Sequence, residues 1–469
     1  MVMKCNIRVL KIEVRNLKNL NHGFIEFDSY KKVLNGDFEF DKSDIIGIYG
    51  PNGSSKTTII NAFSILKAIF SNNSIENKMY EEISRKENNC RIDISLYFEN
   101  NNENYIYDYY ADFAKNEQKK EVYLSSEGLW IRKFVDNDWT KNRPLWEMDN
   151  VTDNFKKFIT PTTNFIKLSK EINDALPQLL ILKGQKEASK CSLIFSEEFE
   201  KMLSNSNEFC ENSPFIKMMR VYANHYYHLY DNREISKMIA LDMIPFFYKS
   251  ESENQVNSTQ GALSLFEEDV ISKEYEETIN LYINEINLVL EKLIPGTKVG
   301  LLNFGDLLDK DGKLSFRYQF VSIKDGFSIP LSLESDGTKK IISIVSSLVD
   351  TFNNPFAILL IDELDSGVFE YLLGNILSVF KERGKGQLLF TSHNLRALEV
   401  IKDNIIFATN DENDRFVKMS YIGKTNNLRK KYLRDLYLGE SNLSNQTDEY
   451  EIYRALSKAG ELYLYGEDR

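Results

Sequence analysis

A short stretch of the chain, residues 50–58 with the sequence GPNGSSKTT, contains residue types that could bind a phosphate group. It differs at one position from the phosphate-binding loop G-x-x-x-x-G-K-[ST], because Ser55 occupies the place of the second glycine. Backbone N–H groups of such a loop point towards a bound phosphate, and the N-terminus of the following helix adds a partial positive charge. The candidate phosphate ligands are Asn52, Gly53, Ser54, Ser55, Lys56, Thr57 and Thr58.

Two side chains of this stretch have separate predicted roles. Lys56 would supply a point charge to the β- and γ-phosphates, and the Thr57 hydroxyl is a candidate Mg²⁺ ligand. A left-handed backbone at Ser55 would cost roughly 1–2 kcal/mol. Several charge-assisted phosphate contacts, each worth about 1.5–3 kcal/mol, could offset that cost. A chance turn is the alternative interpretation of the stretch taken alone.

The residues on either side of the loop favour the phosphate-binding interpretation. Residues 45–49, IIGIY, form an apolar run that predicts a buried strand. Residues 56–70 carry apolar side chains at helical spacing and predict a helix. A strand, a glycine-containing loop and a helix in this order are the structural context that the motif requires.

A second apolar run ends in two acids, with the sequence FAILLIDE at residues 356–363. In nucleotide-binding sheets the first acid of such a pair holds Mg²⁺ and the second polarises the attacking water. Asp362 is therefore a candidate metal ligand, and Glu363 is a candidate catalytic residue. The alternative is a buried strand followed by an ordinary acidic turn.

Two further segments carry candidate site residues. The apolar run at 388–390 is followed by Thr-Ser-His, and His393 is a candidate contact for the γ-phosphate and the catalytic water. Ser335 and Gly337 lie in a turn before the apolar helix predicted at 341–349, where a helix start could bind an anion. The alternatives are a solvent-facing histidine at a strand end and a common turn with a helix cap.

The order of these motifs resembles the head of ABC-class ATPases of the chromosome-maintenance, RecF-like and OLD-like kinds. The turn ESDGT at 334–338 is similar to the family's LSGGQ signature, with Ser335 and Gly337 matching and Asp336 and Thr338 departing from it. The resemblance implies that ATP and Mg²⁺ bind between two heads, with the signature completing the site of the second subunit. It therefore implies a homodimer or a higher homo-oligomer. A bulky residue at 337 is expected to block association and to spare binding by the isolated chain.

Two other stretches extend the resemblance to residues 5–170 and 296–440. Residues 7–19 and 24–27 are similar to the opening strands of these heads. The sequence SDGTK and the segment LRKKYLRDL at 428–436 resemble AAA-type ATPases of bacterial abortive-infection systems, such as AriA of PARIS and PtuA of Septu. This implies a separate effector, a nuclease or a toxin, in anti-phage defence. No Toprim nuclease domain is predicted after His393.

Length and composition narrow the class of protein. The 469 residues have ordinary globular composition, with a net charge of −12 and a pI of about 5.2. Such an acidic balance argues against a nucleic-acid-binding surface over the whole molecule but leaves a local DNA-binding groove open. The four cysteines form no C-x-x-C pair, which argues against a zinc site and suits a reducing compartment. No apolar run could span a membrane, and a cytoplasmic location is predicted.

The predicted fold is an α/β P-loop head with an antiparallel layer and a helical insertion. The predicted domains are the first half of the head at 1–170, a mainly helical insertion at 171–295, the second half at 296–440 and a tail helix at 441–469. Within the insertion a helix is predicted at 275–293 and a flexible polar loop at 251–260. No sustained heptads predict a coiled-coil arm.

Three groups of residues are interpreted as structural. His225 and His228 are placed on a helix face, because no spacing supplies a third metal ligand. The two D-x-D strings at 136–138 and 309–311 are placed in turns. The basic residues at 429–434 are either a solvated helix face or a docking patch.

The predicted function is an ATP-binding and slowly hydrolysing ATPase that acts as a nucleotide-gated sensor or scaffold. One alternative is a RecF-like ATPase of DNA repair, which would bind duplex DNA in a salt-dependent way. The other alternative is a pseudo-ATPase scaffold, in which Ser55 has weakened hydrolysis and only ATP-dependent assembly remains.

Overall fold

The computed structural model describes residues 4–84, 86–152, 158–252, 255–266, 269–401, 404–409, 415–418, 454–455 and 458. The chain divides into two units, Met1–Met419 and Ser420–Arg469, and the elements below belong to the first. The basic residues at 429–434 lie outside the described residues, as does nearly all of the predicted tail helix at 441–469. Along the described part of the chain, no helix is both long and apolar enough to cross a membrane.

The strands are β1 (Ile7–Leu17), β2 (Leu20–Glu26), β3 (Asp44–Tyr49), β4 (Asn89–Asn100), β5 (Glu103–Asn116), β6 (Glu121–Val135), β7 (Asp138–Trp139), β8 (Arg143–Asp149), β9 (Ile159–Thr160), β10 (Tyr227–Tyr230), β11 (Met243–Ser252), β12 (Gln255–Ser264), β13 (Asp269–Ser272), β14 (Thr297–Leu308), β15 (Leu314–Lys324), β16 (Phe327–Pro330), β17 (Ile358–Ile361), β18 (Gln387–Thr391), β19 (Ile405–Ala408) and β20 (Phe416–Lys418). The helices are α1 (Asp28–Leu34), α2 (Lys56–Phe70), α3 (Met79–Glu82), α4 (Thr162–Glu171), α5 (Ala175–Ser189), α6 (Glu197–Ser204), α7 (Ser213–His225), α8 (Asn232–Ala240), α9 (Glu276–Leu293), α10 (Asp336–Asn353), α11 (Glu370–Arg383) and α12 (Leu395–Ile401).

Two large sheets form the framework of the first unit. The described strands of the antiparallel sheet run in the order β2-β1-β4-β5-β6-β8-β9, and β7 pairs with β6. The other sheet has the order β10-β17-β18-β3-β19-β20, with parallel pairing from β10 to β19. The prediction of an α/β fold with an antiparallel layer is confirmed, and the parallel sheet brings the ends of β3, β17 and β18 to one edge.

Helix α2 is buried on nearly all sides because it lies between these two sheets. Its side chains Ile59, Phe63 and Leu66 are fully buried in a core shared with strands of both sheets. Strands β3 and β17 consist mainly of apolar residues and are buried on both faces. This is typical of a parallel sheet that is covered on both sides. The helix that follows the loop is therefore fixed from both sides.

A buried polar junction ties the first strand to the parallel sheet. The Arg8 guanidinium lies 3.1 Å from the Asp44 carboxylate, and both side chains are almost fully buried. The Gln387 side chain accepts from the Val9 N–H at 2.9 Å and donates to the Val9 carbonyl at 2.8 Å. Since Asp44 begins β3 and Gln387 begins β18, β1 is held at a fixed position relative to the loop.

The segment 171–295, predicted as a mainly helical insertion, contains both helices and strands. It contains α5 to α9, but it also supplies β10, which pairs with β17 in the parallel sheet. The predicted helix at 275–293 is confirmed as α9. The predicted flexible loop at 251–260 is wrong for its described residues, because 251–252 lie in β11 and 255–260 lie in β12 of one hairpin. The polar strand β12 pairs with β11, which is apolar at 243–248. The composition of β12 alone therefore did not indicate a strand.

The residues interpreted as structural lie as follows. The first D-x-D string spans the turn between β6 and β7 and ends on the first residue of β7, and the second lies in the turn between β14 and β15. His225 ends α7, and its ring contacts the Ser258 hydroxyl. The helix-face prediction is wrong for His228, which lies in β10 and hydrogen-bonds Asp350 at 2.7 Å. The helix ends at His225, three residues before His228, because Tyr226 leaves helical geometry.

Candidate functional site

The loop at 50–58 connects β3 to α2 in the predicted strand–loop–helix arrangement. Gly50 and Gly53 have φ angles of 154° and 80°. A Cβ atom at Gly50 would lie 2.3 Å from the Ala408 carbonyl oxygen, so that position requires glycine. No atom lies within 4 Å of a Cβ placed on Gly53, which faces open space. The Thr58 N–H donates to the Ser55 carbonyl at 3.1 Å. The N–H groups before it, at the start of α2, have no acceptor in the preceding turn of a helix and can bind an anion.

The Lys56 ammonium is folded back over the loop. Its Nζ donates to the Gly50 carbonyl at 2.8 Å and to the Pro51 carbonyl at 2.9 Å. Burial lowers the pKa of Lys56, and the carboxylates of Asp362 and Glu363 oppose that shift. The buried cation therefore lies in the field of the two predicted acids.

Ser55 adopts a left-handed backbone, the condition under which its conformational cost was predicted. Its φ and ψ are 74° and 17°, a conformation that costs a non-glycine residue roughly 1–2 kcal/mol. The Ser55 hydroxyl does not cap α2 but donates to Asn19 Oδ1 at 2.7 Å. Asn19 Nδ2 in turn donates to the Gly53 carbonyl. The sequence prediction assigned no role to Asn19, because it lies far from the loop along the chain.

The loop and the acid pair meet through one direct contact. The Thr57 hydroxyl lies 3.1 and 3.2 Å from the two carboxylate oxygens of Asp362. Asp362 follows β17, and β18 lies between β17 and β3 in the sheet. The structure thus brings together the two residues predicted to hold Mg²⁺.

Thr391 fixes both acids from the end of β18. Its hydroxyl donates to Asp362 Oδ1 at 2.6 Å and accepts from the Glu363 N–H at 2.7 Å. Glu363 has a φ of 48°, a left-handed conformation that is uncommon for a non-glycine residue. Thr391 belongs to the predicted strand but was assigned no role, because a threonine at a strand end carries no distinctive pattern.

The Glu363 carboxylate is held by a residue from the segment after β10. Asn232 Nδ2 donates to Glu363 Oε2 at 2.7 Å. The Lys340 ammonium donates to Asn232 Oδ1 at 3.2 Å and to the Glu363 carbonyl at 2.6 Å. Burial lowers the pKa of Lys340 to about 8, against the attraction of the nearby carboxylates. Neither Asn232 nor Lys340 was a predicted site residue.

His393 lies near the two predicted acids, and its backbone is hydrogen-bonded to a third carboxylate, that of Asp365. Its N–H donates to Asp365 Oδ2 at 3.1 Å, while its side chain is largely exposed. Burial of part of the ring and the neighbouring Lys56 lower its pKa. The imidazole is therefore neutral near pH 7 and could accept a proton or a hydrogen bond.

The predicted signature turn lies at the exposed start of α10. Ser335 caps the helix, since its hydroxyl accepts from the Thr338 N–H at 3.2 Å. No hydrogen bond between described residues joins Ser335 to the loop at 50–58. A Cβ atom on Gly337 would lie 1.9 Å from the Gly367 carbonyl oxygen. A bulky residue at 337 would therefore displace the segment after Glu363 in the same chain, which corrects the expectation that it spares binding by the isolated chain.

Residues 45–399 match the family described as AAA domain, putative AbiEii toxin, Type IV TA system. This chain belongs to that AAA family. The match spans the loop, both acids, the signature turn and His393. The AAA protein therefore carries an ATPase-type nucleotide-binding domain, and the residues that meet at the edge of its parallel sheet lie inside that domain. No protein with a curated description matches the chain.

Solved structures also match the AAA protein at low identity. The Smc head bound to the C-winged helix domain of ScpA is 13% identical, with a TM-score of 0.38, and the match covers 88% of this chain and 98% of that chain. The SMC head domain from Thermotoga maritima is 14% identical, with a TM-score of 0.35 and coverage of 88% and 100%. The recombination mediator RecF-ATPrS is 10% identical, with a TM-score of 0.36 and coverage of 89% and 100%.

Proposed function

We propose that this AAA protein binds ATP with Mg²⁺ at the loop and hydrolyses it slowly. The observation that carries the proposal is the contact between Thr57 and Asp362, which joins the loop to the acidic strand end. A hydroxyl and a carboxylate at one point are the oxygen ligands that Mg²⁺ prefers. The buried Ser54 hydroxyl, which has no hydrogen-bond partner among the described residues, also fits a ligand rich in oxygen atoms.

In this proposal the chain's own residues divide the work of binding and proton transfer. Loop N–H groups and the Lys56 ammonium bind the β- and γ-phosphates, exchanging two backbone carbonyls for phosphate oxygens. Mg²⁺, held by Thr57 and Asp362, would neutralise developing charge on the phosphates. The Glu363 carboxylate accepts the proton of the attacking water, and His393 contacts the γ-phosphate side of the site.

An assembly scaffold that binds ATP without turnover is the second candidate. The bond from Asn232 to the Glu363 carboxylate favours it, because one oxygen of the proposed proton acceptor is already engaged by protein. Measured turnover separates the two candidates. The RecF-like alternative gains no observation of its own from the described residues.

We also propose that two heads share each nucleotide. Ser335 and Asp336 are exposed at the start of a helix whose later turn reaches Glu363 through Lys340. An exposed helix start can bind a phosphate presented by another subunit. ATP-dependent association would control a separate nuclease or toxin in defence against phage. The likeness to abortive-infection ATPases and the family description support this role. A measurement of DNA binding would test whether a local groove of this protein binds DNA.

The first experiment compares ATP binding, turnover and association for the parent and Glu363→Gln. Loss of the proton acceptor should slow turnover by about 10²–10⁴-fold and spare binding. The variant should then accumulate as an ATP-bound, associated species in sedimentation at micromolar protein. Unchanged turnover would remove Glu363 from the mechanism, and a parent without turnover would favour the scaffold.

The second experiment tests sharing of the site. Ser335→Arg replaces an exposed side chain, whereas Gly337 contacts its own chain and would confuse binding with folding. Mixing Ser335→Arg with Lys56→Ala gives dimers with one intact composite site, so up to about half of the mixed dimers' activity should return. A mixture that recovers nothing, from two variants that are both folded, contradicts the shared site.

A further inference from the structure

Asn19 lies outside the phosphate-binding loop but contacts two of its residues. They are Ser55, which replaces the second glycine of the motif, and Gly53. Asn19 occupies the two-residue turn between β1 and β2. Its Oδ1 accepts the Ser55 hydroxyl at 2.7 Å, and its Nδ2 donates to the Gly53 carbonyl. One amide side chain therefore uses both of its polar ends on residues of the loop.

The turn that carries Asn19 is anchored independently of the loop. Leu17 and Leu20 pair across it and are fully buried. The Lys18 N–H donates to the Glu82 carbonyl, and the Ser84 N–H donates to the Asn16 carbonyl at 3.0 Å. The hairpin is thus fixed to the segment after α3, and Asn19 presents its amide from a rigid support.

The direction of the Ser55 hydroxyl explains why this support is needed. Ser55 precedes the first residue of α2, where a serine side chain commonly accepts a hydrogen bond from the helix. Here it makes no such cap and donates to Asn19 in its left-handed conformation. A glycine would adopt this backbone without strain, but it would offer nothing for Asn19 to hold.

We propose that Asn19 is a positioning residue for the nucleotide site, and that the Asn19–Ser55 hydrogen bond replaces the conformational role of the missing glycine. Asn19 keeps the carbonyl of Gly53 turned towards the hairpin and the backbone of Ser55 left-handed. The loop N–H groups are then directed at the phosphates of a nucleoside triphosphate before it binds. This inference rests on the proposed function, since it names a residue that prepares the same site.

The test is a double-mutant cycle of Asn19→Ala and Ser55→Gly, with ATP affinity measured by titration. Asn19→Ala should weaken ATP binding about tenfold, the worth of the lost hydrogen bonds. The ATP affinity of Ser55→Gly alone should stay within about threefold of that of the parent. The relief of backbone strain and the loss of the hydrogen bond to Asn19 have opposite effects and nearly cancel. In the Asn19→Ala background, Ser55→Gly should recover most of the lost affinity. A merely structural contact predicts no such recovery.

A control variant and a kinetic measurement make the result decisive. His22→Ala removes a polar contact to Glu13 on the same hairpin, away from the loop, and should leave ATP affinity unchanged. The Michaelis constant for ATP should rise in Asn19→Ala with little change in kcat. The proposal would be overturned if Asn19→Ala bound ATP as tightly as the parent. It would also be overturned if the double variant recovered no ATP affinity.

A nucleotide-free measurement separates this proposal from the proposed function. Amide hydrogen exchange at residues 53–58 should be faster in Asn19→Ala than in the parent and in His22→Ala. If the parent binds no ATP, the proposed function fails, and exchange still decides whether Asn19 orders the loop. If the parent binds ATP but exchange in Asn19→Ala is unchanged, the positioning role fails and the ATPase proposal stands.

Discussion

Helix α10 has a polar cluster near each end, and the two clusters differ in how completely their charges are matched. Near its start, Lys340 lies among Asp362, Glu363 and Asp365, with Lys56 opposite them. Three carboxylates thus face two ammonium groups among the described residues. The Asp365 Oδ1 atom is buried without a hydrogen-bond partner in the described part of the chain. This open cluster retains capacity for a cation and for further hydrogen bonds.

The cluster near the end of α10 is closed. Asp350 is paired through one oxygen with His228 at 2.7 Å and through the other with the Lys249 ammonium at 2.8 Å. The Lys249 ammonium also lies 3.6 Å from the centroid of the Tyr226 ring. Hydrogen bonds from His228 and Lys249 lower the pKa of Asp350 against its burial, so the carboxylate is charged. The cluster joins β10, β11 and α10, and each Asp350 carboxylate oxygen has a protein partner.

The comparison teaches which buried polar groups are structural. A closed cluster satisfies each carboxylate oxygen with a protein donor, and its removal should affect stability. The open cluster has acids in excess, a left-handed glutamate at 363 and a folded-back lysine at 56, features that favour a ligand site. Each of the following predictions sharpens or breaks this distinction.

The largest expected effect is on stability at the closed cluster. Asp350→Ala should lower the free energy of unfolding by about 3–5 kcal/mol, because it deprives a buried ammonium and a buried imidazole of their carboxylate. Denaturant unfolding measures the loss, and ATP affinity of the folded protein should be unchanged. The control Glu234→Ala removes the exposed partner of Lys237 and should cost about 0–1 kcal/mol. Equal losses for the two variants would break the distinction.

A smaller effect is expected on turnover at the open cluster. Asn232→Ala removes the 2.7 Å hydrogen bond to Glu363 and should lower kcat by about tenfold with unchanged ATP affinity. Arg233→Ala, an exposed neighbour on α8, is the control. If Asn232→Ala raises kcat instead, the bond restrains Glu363 in an inactive position and does not prepare it.

The smallest expected effect is a pH dependence beside the closed cluster. Burial, with repulsion from Asp350 second, raises the pKa of Glu285 from 4.5 to about 7. Because the folded-state pKa is the higher one, the stability contribution of Glu285 is present below pH 4.5 and is lost as pH rises through 7. Glu285→Gln should remove this pH-dependent loss of stability. The loss stays below about 1 kcal/mol because the Glu285 side chain is partly exposed to solvent. Melting temperatures between pH 5 and 8 test it, with Glu277→Gln as the exposed control on α9.

The sequence predicted those parts of the site that lie within continuous motifs. The loop at 50–58, with its flanking strand and helix, follows from residue types and apolar spacing. Asp362 and Glu363 follow from an apolar run that ends in acids. A left-handed backbone at Ser55 was considered only as a condition, because serine replaces one glycine of the motif. In each case the neighbours along the chain determine the local conformation.

The remaining contacts depend on how distant segments pack. Asn19 meets Ser55 because a hairpin turn lies over the loop, and Asn232 meets Glu363 because β10 pairs with β17. Neither residue type is distinctive by itself. The hairpin of β11 and β12 was missed because its second strand is polar and is stabilised by backbone pairing with an apolar strand. The contact of Gly337 with Gly367 likewise required the folded chain.

The most direct test of the central claim is a titration of ATP with Mg²⁺ against the parent and Lys56→Ala. The account predicts saturable binding by the parent and a loss of about 10–150-fold in the variant, since one charge-assisted contact is worth about 1.5–3 kcal/mol. Lys42→Ala, an exposed lysine near the start of β3, should bind as the parent does. Equal affinity of the parent and Lys56→Ala would contradict the assignment of the loop as the nucleotide site.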